Sequence, residues 1–314
     1  MPAQKGQRNY QNNGAFMNSN DIINNFINSL TVNKKSSENT LSAYRRDLEN
    51  FFDYISLNNI DYTKITPNDV LLYKDFLTKS GKSASTVSRF MSSLRSFYKF
   101  LVSSSMCDVN PAVKVKNEKS EKKYFEVLTE AEIDTLLSQP DHDTYKGKRD
   151  KAILEILYAT GLKVSELINL NVSDVNIKMG CVKCQALNPE KSRMILLYPK
   201  AIKAVSDYLE YSRVYFVSDS YENSLFVNTN GERMTRQGLW KLIKLYAEQA
   251  GINKSITPHT LRHSFATHLL ENGADINDIK DILGHADISS TNVYSEFIKS
   301  KINTSYLRFN HRSN

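Results

Sequence analysis

Four side chains near the C-terminal end of this 314-residue chain have the types and spacing to work on a phosphodiester. His259 and Arg262 stand three apart in His259-Thr-Leu-Arg262, His285 follows Leu283-Gly284, and Tyr294 comes nine residues later. A guanidinium grips phosphate oxygens with a planar fork, an imidazole moves or donates protons, and a phenol can attack as a nucleophile. Thr257 followed by Pro258 reads as a helix start, which puts His259 and Arg262 on one face beside a helix N-terminus. Gly284 reads as a helix cap that lets His285 project, and Tyr294 lies in the short segment Ser290-Thr-Asn-Val-Tyr-Ser.

Plainer readings exist for each group. A histidine near a helix end is usually a surface or capping residue, and one tyrosine among 17 is usually packing. His259, His263 and His268 invite a metal site, but there is no H-E-x-x-H arrangement, and Arg262 between the first two would oppose a cation. Cys181-Val-Lys-Cys184 is a single C-x-x-C without a second pair and reads as incidental.

These groups need elements to hold them, and the length favours two domains. Residues 1–20 are polar and expected to be a disordered leader, and Met17 stands just before the first periodic segment. Apolar spacing then predicts four helices between residues 21 and 103, with Thr66-Pro67-Asn68-Asp69 as one start signal. They make residues 21–116 an all-α N-terminal domain. The fourth helix, about 83–103, has an apolar stripe and an opposite face of Ser85, Ser88, Arg89, Ser92, Arg95 and Lys99. Small hydroxyls allow close approach to a duplex, and Arg and Lys reach phosphates and base edges, so this face, with Arg45, is the candidate DNA contact. Its plain reading is a solvated polar face.

Residues 117–126, NEKSEKKYFE, read as an exposed linker. Residues 127–300 form the second domain, mainly helical with a small antiparallel sheet. Its helices are expected near 129, 149–159, 199–211, 235–250, 257–272 and 276–283, and its strands at 181–187 and 192–198. Residues 301–314 are a basic tail.

Charge and composition set limits. The net charge is +7, and residues 1–116 hold 15 Lys and Arg against 9 Asp and Glu. A basic front domain suits a polyanion partner. No run approaches the length of a membrane span, and the three cysteines fit a reducing cytoplasm rather than a disulfide framework.

His259-x-x-Arg262, Leu283-Gly284-His285 and Tyr294, together with Ala159-Thr-Gly-Leu-Lys-Val-Ser-Glu-Leu167 upstream, resemble the tyrosine recombinases, with the Xer-type branch most similar. The resemblance covers roughly residues 20–300. It implies a two-domain C-shaped DNA clamp with a SAM-like core-binding front domain, and chemistry with no metal or nucleotide. It assigns Tyr294 as the nucleophile that forms a 3′-phosphotyrosyl link. Arg262 would hold the phosphate oxygens, His259 would assist the proton, His285 would donate a hydrogen bond, and Glu166 would brace the first cationic group.

Two departures from the family pattern stand out. The first catalytic Arg falls at Lys163, which keeps the charge but lacks the bidentate fork. Slowed cleavage with retained DNA binding is the expectation, whether the lysine is natural or introduced. The usual Gly-Lys-Gly hairpin turn is also absent, leaving Lys191 as the first candidate for the lysine that protonates the leaving oxygen and Lys183 as the second.

The implied partners are a double-stranded recombination site and a homotetramer, or a heterotetramer with a paralogue, on two sites, with a DNA translocase as a further candidate. The tail would dock on a neighbouring subunit. Chromosome or plasmid dimer resolution is the favoured role. The rivals are a phage or mobile-element integrase, a cleavage-impaired DNA-binding variant, and a type IB topoisomerase-like nicking enzyme.

Overall fold

A computed structural model of the chain describes residues 18–32, 38–116, 126–185, 192–217 and 222–284. The chain divides into two compact units between Lys123 and Tyr124.

The described part of the first unit is four helices: α1 (Ser19–Val32), α2 (Glu38–Leu57), α3 (Pro67–Lys79) and α4 (Ala84–Ser103). The start signal at Thr66 works as expected. Its hydroxyl accepts from the Asp69 N–H at 3.3 Å, and the Asp69 carboxylate accepts from the Thr66 N–H at 2.9 Å. The apolar stripes meet in one core around Phe26, Leu48, Phe51, Tyr73, Met91, Leu94 and Phe97. Its rings pack edge to face, as in Phe26 against Phe97 at 5.5 Å and Phe51 against Tyr73 at 5.1 Å. A polar contact crosses this unit. Asp47, 2% exposed, accepts from Ser93 at 2.6 Å and pairs with Arg89 at 2.5 Å, tying α2 to α4.

The second unit contains α5 (Glu130–Ser138), α6 (Tyr145–Thr160), α7 (Val164–Asn169), β1 (Val175–Asn176), β2 (Cys181–Cys184) and β3 (Arg193–Leu196). After these come α8 (Pro199–Tyr211), α9 (Arg236–Gln249), α10 (Pro258–Glu271) and α11 (Ile276–Leu283). The fold is thus mainly helical with a three-stranded antiparallel sheet in the order β1-β2-β3. Helix α6 is the centre of the unit. It is buried on nearly every side, with α5, α8 and α10 packed around it. An all-round buried helix carries little amphipathic signal, and its start lies four residues ahead of the expected one. Thr144 caps it there, accepting from the Gly147 N–H at 3.0 Å.

The strands are shorter than the apolar runs suggested, and neither α7 nor β1 is among the expected elements. Helix α7 is six residues long and shows too few turns for periodicity to reveal it. In the β2–β3 ladder, Cys184 faces Arg193 and Lys183 faces Met194. Cys184 is buried, whereas Lys183 and Met194 are exposed, so the two sides of this ladder differ in kind. The turn expected at 188–191 lies outside the described residues.

Candidate active site

Three stretches distant in sequence converge where α6, α10 and α11 end or begin. Helix α10 starts at Pro258, with Thr257 as cap. The Thr257 hydroxyl accepts from the Thr260 N–H at 3.2 Å, and the Thr260 hydroxyl accepts from the Thr257 N–H at 3.1 Å. This fixes the first turn, on which His259 is exposed and Arg262 is only 4% exposed. Leu261 and Phe265 anchor the helix, and the Tyr158 hydroxyl meets His268 Nδ1 at 2.9 Å to tie α10 to α6. Burial pushes the Tyr158 phenol up to about 12, so it stays protonated.

Arg262 reaches two helix ends. Nη1 donates to the carbonyl of Gly161, which caps α6 at φ +58°, and Nη2 donates to the carbonyl of Leu283, the last residue of α11, at 2.7 Å. Both acceptors are carbonyls at C-terminal helix ends, where backbone oxygens lack intrahelical partners and the dipole favours a cation. The turn that begins with Gly161 leads directly to Lys163. That lysine is exposed at the start of α7, two residues from the carbonyl that Arg262 holds.

Glu166 braces this turn. Its Oε2 accepts from the Lys163 N–H at 2.8 Å, and its two oxygens accept from Arg193 Nη1 and Nη2, each at 3.1 Å. Burial alone would raise the Glu166 carboxyl. The hydrogen bonds from Arg193 and the Lys163 N–H, with the charges of Arg193 and Lys163, outweigh that and hold it below the ordinary carboxylate value. Arg193 also donates from Nε to the Ile282 carbonyl at 2.5 Å and from Nη1 to Cys184 Sγ at 3.2 Å. Burial, with the Glu166 charge beside it, pushes the Cys184 thiol up to about 11, so it is an inert neutral neighbour rather than a nucleophile.

Of the sequence-derived candidates, Arg262, Lys163 and Glu166 therefore come together, with His259 on the same first turns of α10. His285, Tyr294 and Lys191 lie outside the described residues. Lys183 is exposed on β2. Among the described residues no group of three His, Cys, Asp or Glu side chains could hold a metal ion, and the His259 and His263 rings are 6.4 Å apart. Arg193 was not singled out from the sequence. Its partners Glu166 and Ile282 are 27 and 89 residues away, and no local spacing announces them.

The candidate nucleic-acid face in the first unit is mixed. Ser85, Ser92 and Lys99 are exposed and Ser88 is half-buried on α4. Arg89 is partly exposed but committed to Asp47. Arg45 Nη1 donates to Asn24 at 2.8 Å. Arg95 is turned to the chain after α4, donating to the carbonyls of Ala112 at 3.2 Å and Val115 at 2.7 Å.

Residues 126–300 match the phage integrase family, and residues 23–105 match the N-terminal SAM-like domain of phage integrases. The tyrosine recombinase XerD of Oceanobacillus iheyensis is 42% identical over 294 residues, which is 93% of this chain and 98% of that protein. XerD of Listeria innocua is 40% identical over 297 residues, covering 94% of this chain and all of that one. Among solved structures, the XerA recombinase is 29% identical, with a TM-score of 0.52 over 94% of this chain and 99% of that one. The XerH recombinase bound to a palindromic difH substrate shares the fold at 19% identity, with a TM-score of 0.70 over 92% of this chain and 84% of that one. Among the described residues no helix is long and apolar enough to cross a membrane. The chain belongs to the phage integrase family and is a tyrosine recombinase, a DNA strand-exchange enzyme.

Proposed function

We propose that the chain is a Xer-like recombinase that exchanges strands between two specific duplex sites through a Holliday junction. Tyr294 attacks the scissile phosphate and leaves a 3′-phosphotyrosyl link, which stores the bond energy for rejoining without ATP. Arg262 and Lys163 stabilise charge on the phosphate oxygens, His259 assists the proton, and His285 donates a hydrogen bond. Lys191 protonates the leaving 5′-oxygen. Residues 21–116 and 127–300 each contact the duplex, with the α4 face supplying phosphate contacts, and residues 301–314 link subunits into a tetramer. A translocase partner and a role in resolving chromosome or plasmid dimers complete the reading.

The observation that supports it best is the arrangement around Arg262. One guanidinium reaches the turn that carries Lys163 and Glu166 and the residue just before Gly284-His285. This supports reading segments a hundred residues apart as one phosphate-handling set carried at helix ends. The test uses a nicked suicide duplex whose sequence is recovered from a random pool by binding to the parent chain. The parent should form a covalent adduct on it and Tyr294→Phe should form none. An adduct from Tyr294→Phe overturns the assignment of the nucleophile.

Lys163 favours a second reading, a variant that binds its site but cuts slowly. Binding without any adduct from the parent, restored by Lys163→Arg, would select it.

A further inference from the structure

We propose that Arg193 is a positioning residue of the strand-exchange site, holding the Lys163 turn and the end of α11 in one register through Glu166 and Ile282. The proposal rests on the reading of Lys163 as the first cationic group of that site.

Donor accounting separates positioning from catalysis here. A guanidinium has five N–H donors in a fixed fork. Arg193 spends Nε on the Ile282 carbonyl, Nη1 on Glu166 Oε1 and Cys184 Sγ, and Nη2 on Glu166 Oε2. What is left cannot present a fork to a phosphate, so Arg193 acts on the protein and not on the DNA.

Its partners are the two that matter for register. Glu166 passes the constraint on by accepting from the Lys163 N–H at 2.8 Å. Ile282 precedes Leu283, whose carbonyl Arg262 holds at 2.7 Å, so successive carbonyls at the end of α11 go to two different guanidinia. Arg193 stands opposite Cys184, on the buried side of the β2–β3 ladder, and from there reaches both α7 and α11.

Gly284 is shaped to this contact. It caps α11 at φ +62°, and a Cβ there would lie 2.7 Å from Arg193 Nη1 and 2.9 Å from its Cζ. A side chain at 284 would therefore displace the guanidinium as well as strain the backbone. The residue that follows is His285.

The test compares the full-length parent with Arg193→Gln, Arg193→Lys and Gly284→Ala. Amide hydrogen exchange should quicken roughly tenfold or more around residues 163–167 and 282–284 in all three, while α6 and α8 exchange as in the parent. Arg193→Lys should not rescue, because an ammonium concentrates its donors on one nitrogen and lacks the planar fork that spans the Glu166 carboxylate and the Ile282 carbonyl. On the nicked duplex recovered by selection, single-turnover cleavage at saturating DNA should fall about tenfold or more, with affinity within about threefold, as a misplaced group costs rate rather than binding. Gly251→Ala, where the added Cβ meets nothing within 4 Å, controls for lost stability alone and should cleave as the parent does.

Unchanged exchange at both segments, or exchange quickened evenly over both units, overturns the bridge. Cleavage by Arg193→Gln within about twofold of the parent overturns the positioning role. If the parent itself forms no adduct, the cleavage reading of the site falls, and with it the catalytic consequence, while exchange still decides the bridge.

Discussion

Arg193 and Arg262 take the consecutive carbonyls of Ile282 and Leu283, at 2.5 Å and 2.7 Å, so the C-terminal end of α11 is held by two guanidinia. Each also holds a point near Lys163: Arg262 through the Gly161 carbonyl and Arg193 through Glu166. Two cations at the carbonyl end of a short helix satisfy its orphan acceptors and oppose its negative dipole end. Side chains from β3, α7 and α10 thus tie the Lys163 turn to the C-terminal end of α11.

Lys163→Arg should raise single-turnover cleavage of the selected nicked duplex by up to about 10², by analogy with the loss of one oriented donor to a developing oxyanion. Affinity for the duplex should stay within about twofold, since the charge is the same in both. Cleavage no faster than the parent's would remove Lys163 from the site.

Glu166→Gln tests the ionic brace by its pH dependence. The Glu166 carboxyl lies below its ordinary value of 4.5, so the unfolded state binds the proton more readily than the folded one. A depressed folded pKa gives stability that is complete above the unfolded value and is lost as pH falls through the folded one. The variant should be less stable by about 1–3 kcal/mol near neutrality. In urea melts that deficit should hold steady down to about pH 5.5 and shrink as pH falls below about 4.5. A deficit that stays constant into strong acid would show that shape, not charge, makes the contact.

Gly161→Ala should damage both stability and the site. Gly161 has φ +58°, and a Cβ there would lie 2.5 Å from Phe265 Cδ1 and 2.9 Å from Leu283 Cδ2. Backbone strain plus overpacking should cost about 2–4 kcal/mol in urea melts. Gly251→Ala has a similar φ of +66° and open space, and should cost only about 1 kcal/mol. Equal losses at the two positions would mean that packing around Gly161 is looser than these distances require.

Lys99 and Arg89 should separate phosphate contact from folding. Lys99 is exposed on α4, and Lys99→Ala should leave the melting temperature unchanged while lowering the slope of log affinity against log salt by about 0.9. Arg89→Ala leaves Asp47, 2% exposed, without its ion pair, and should cost about 1–3 kcal/mol of stability whatever its effect on DNA. A salt slope indifferent to Lys99 would remove this residue from the DNA face.

The order of the helices other than the short α7, the α10 cap, the Gly284 cap and the grouping of His259 with Arg262 were legible in the sequence. Each follows from local rules: apolar spacing, a hydroxyl before a proline, a glycine at a positive φ, and two residues on one helical face. The membership of Lys163 and Glu166 was legible only through resemblance, because nothing local joins Gly161-Leu-Lys-Val-Ser-Glu166 to a helix a hundred residues later. Arg193 was not legible at all. Its value comes from reaching α7 and α11 at once, and Arg95, placed by helical spacing on the polar face of α4, turned to the carbonyls of Ala112 and Val115 for the same kind of reason. Periodicity tells which side of an element a residue occupies. Where a long guanidinium then goes is decided by which buried carbonyls and carboxylates lack a partner, and only the packed chain sets that.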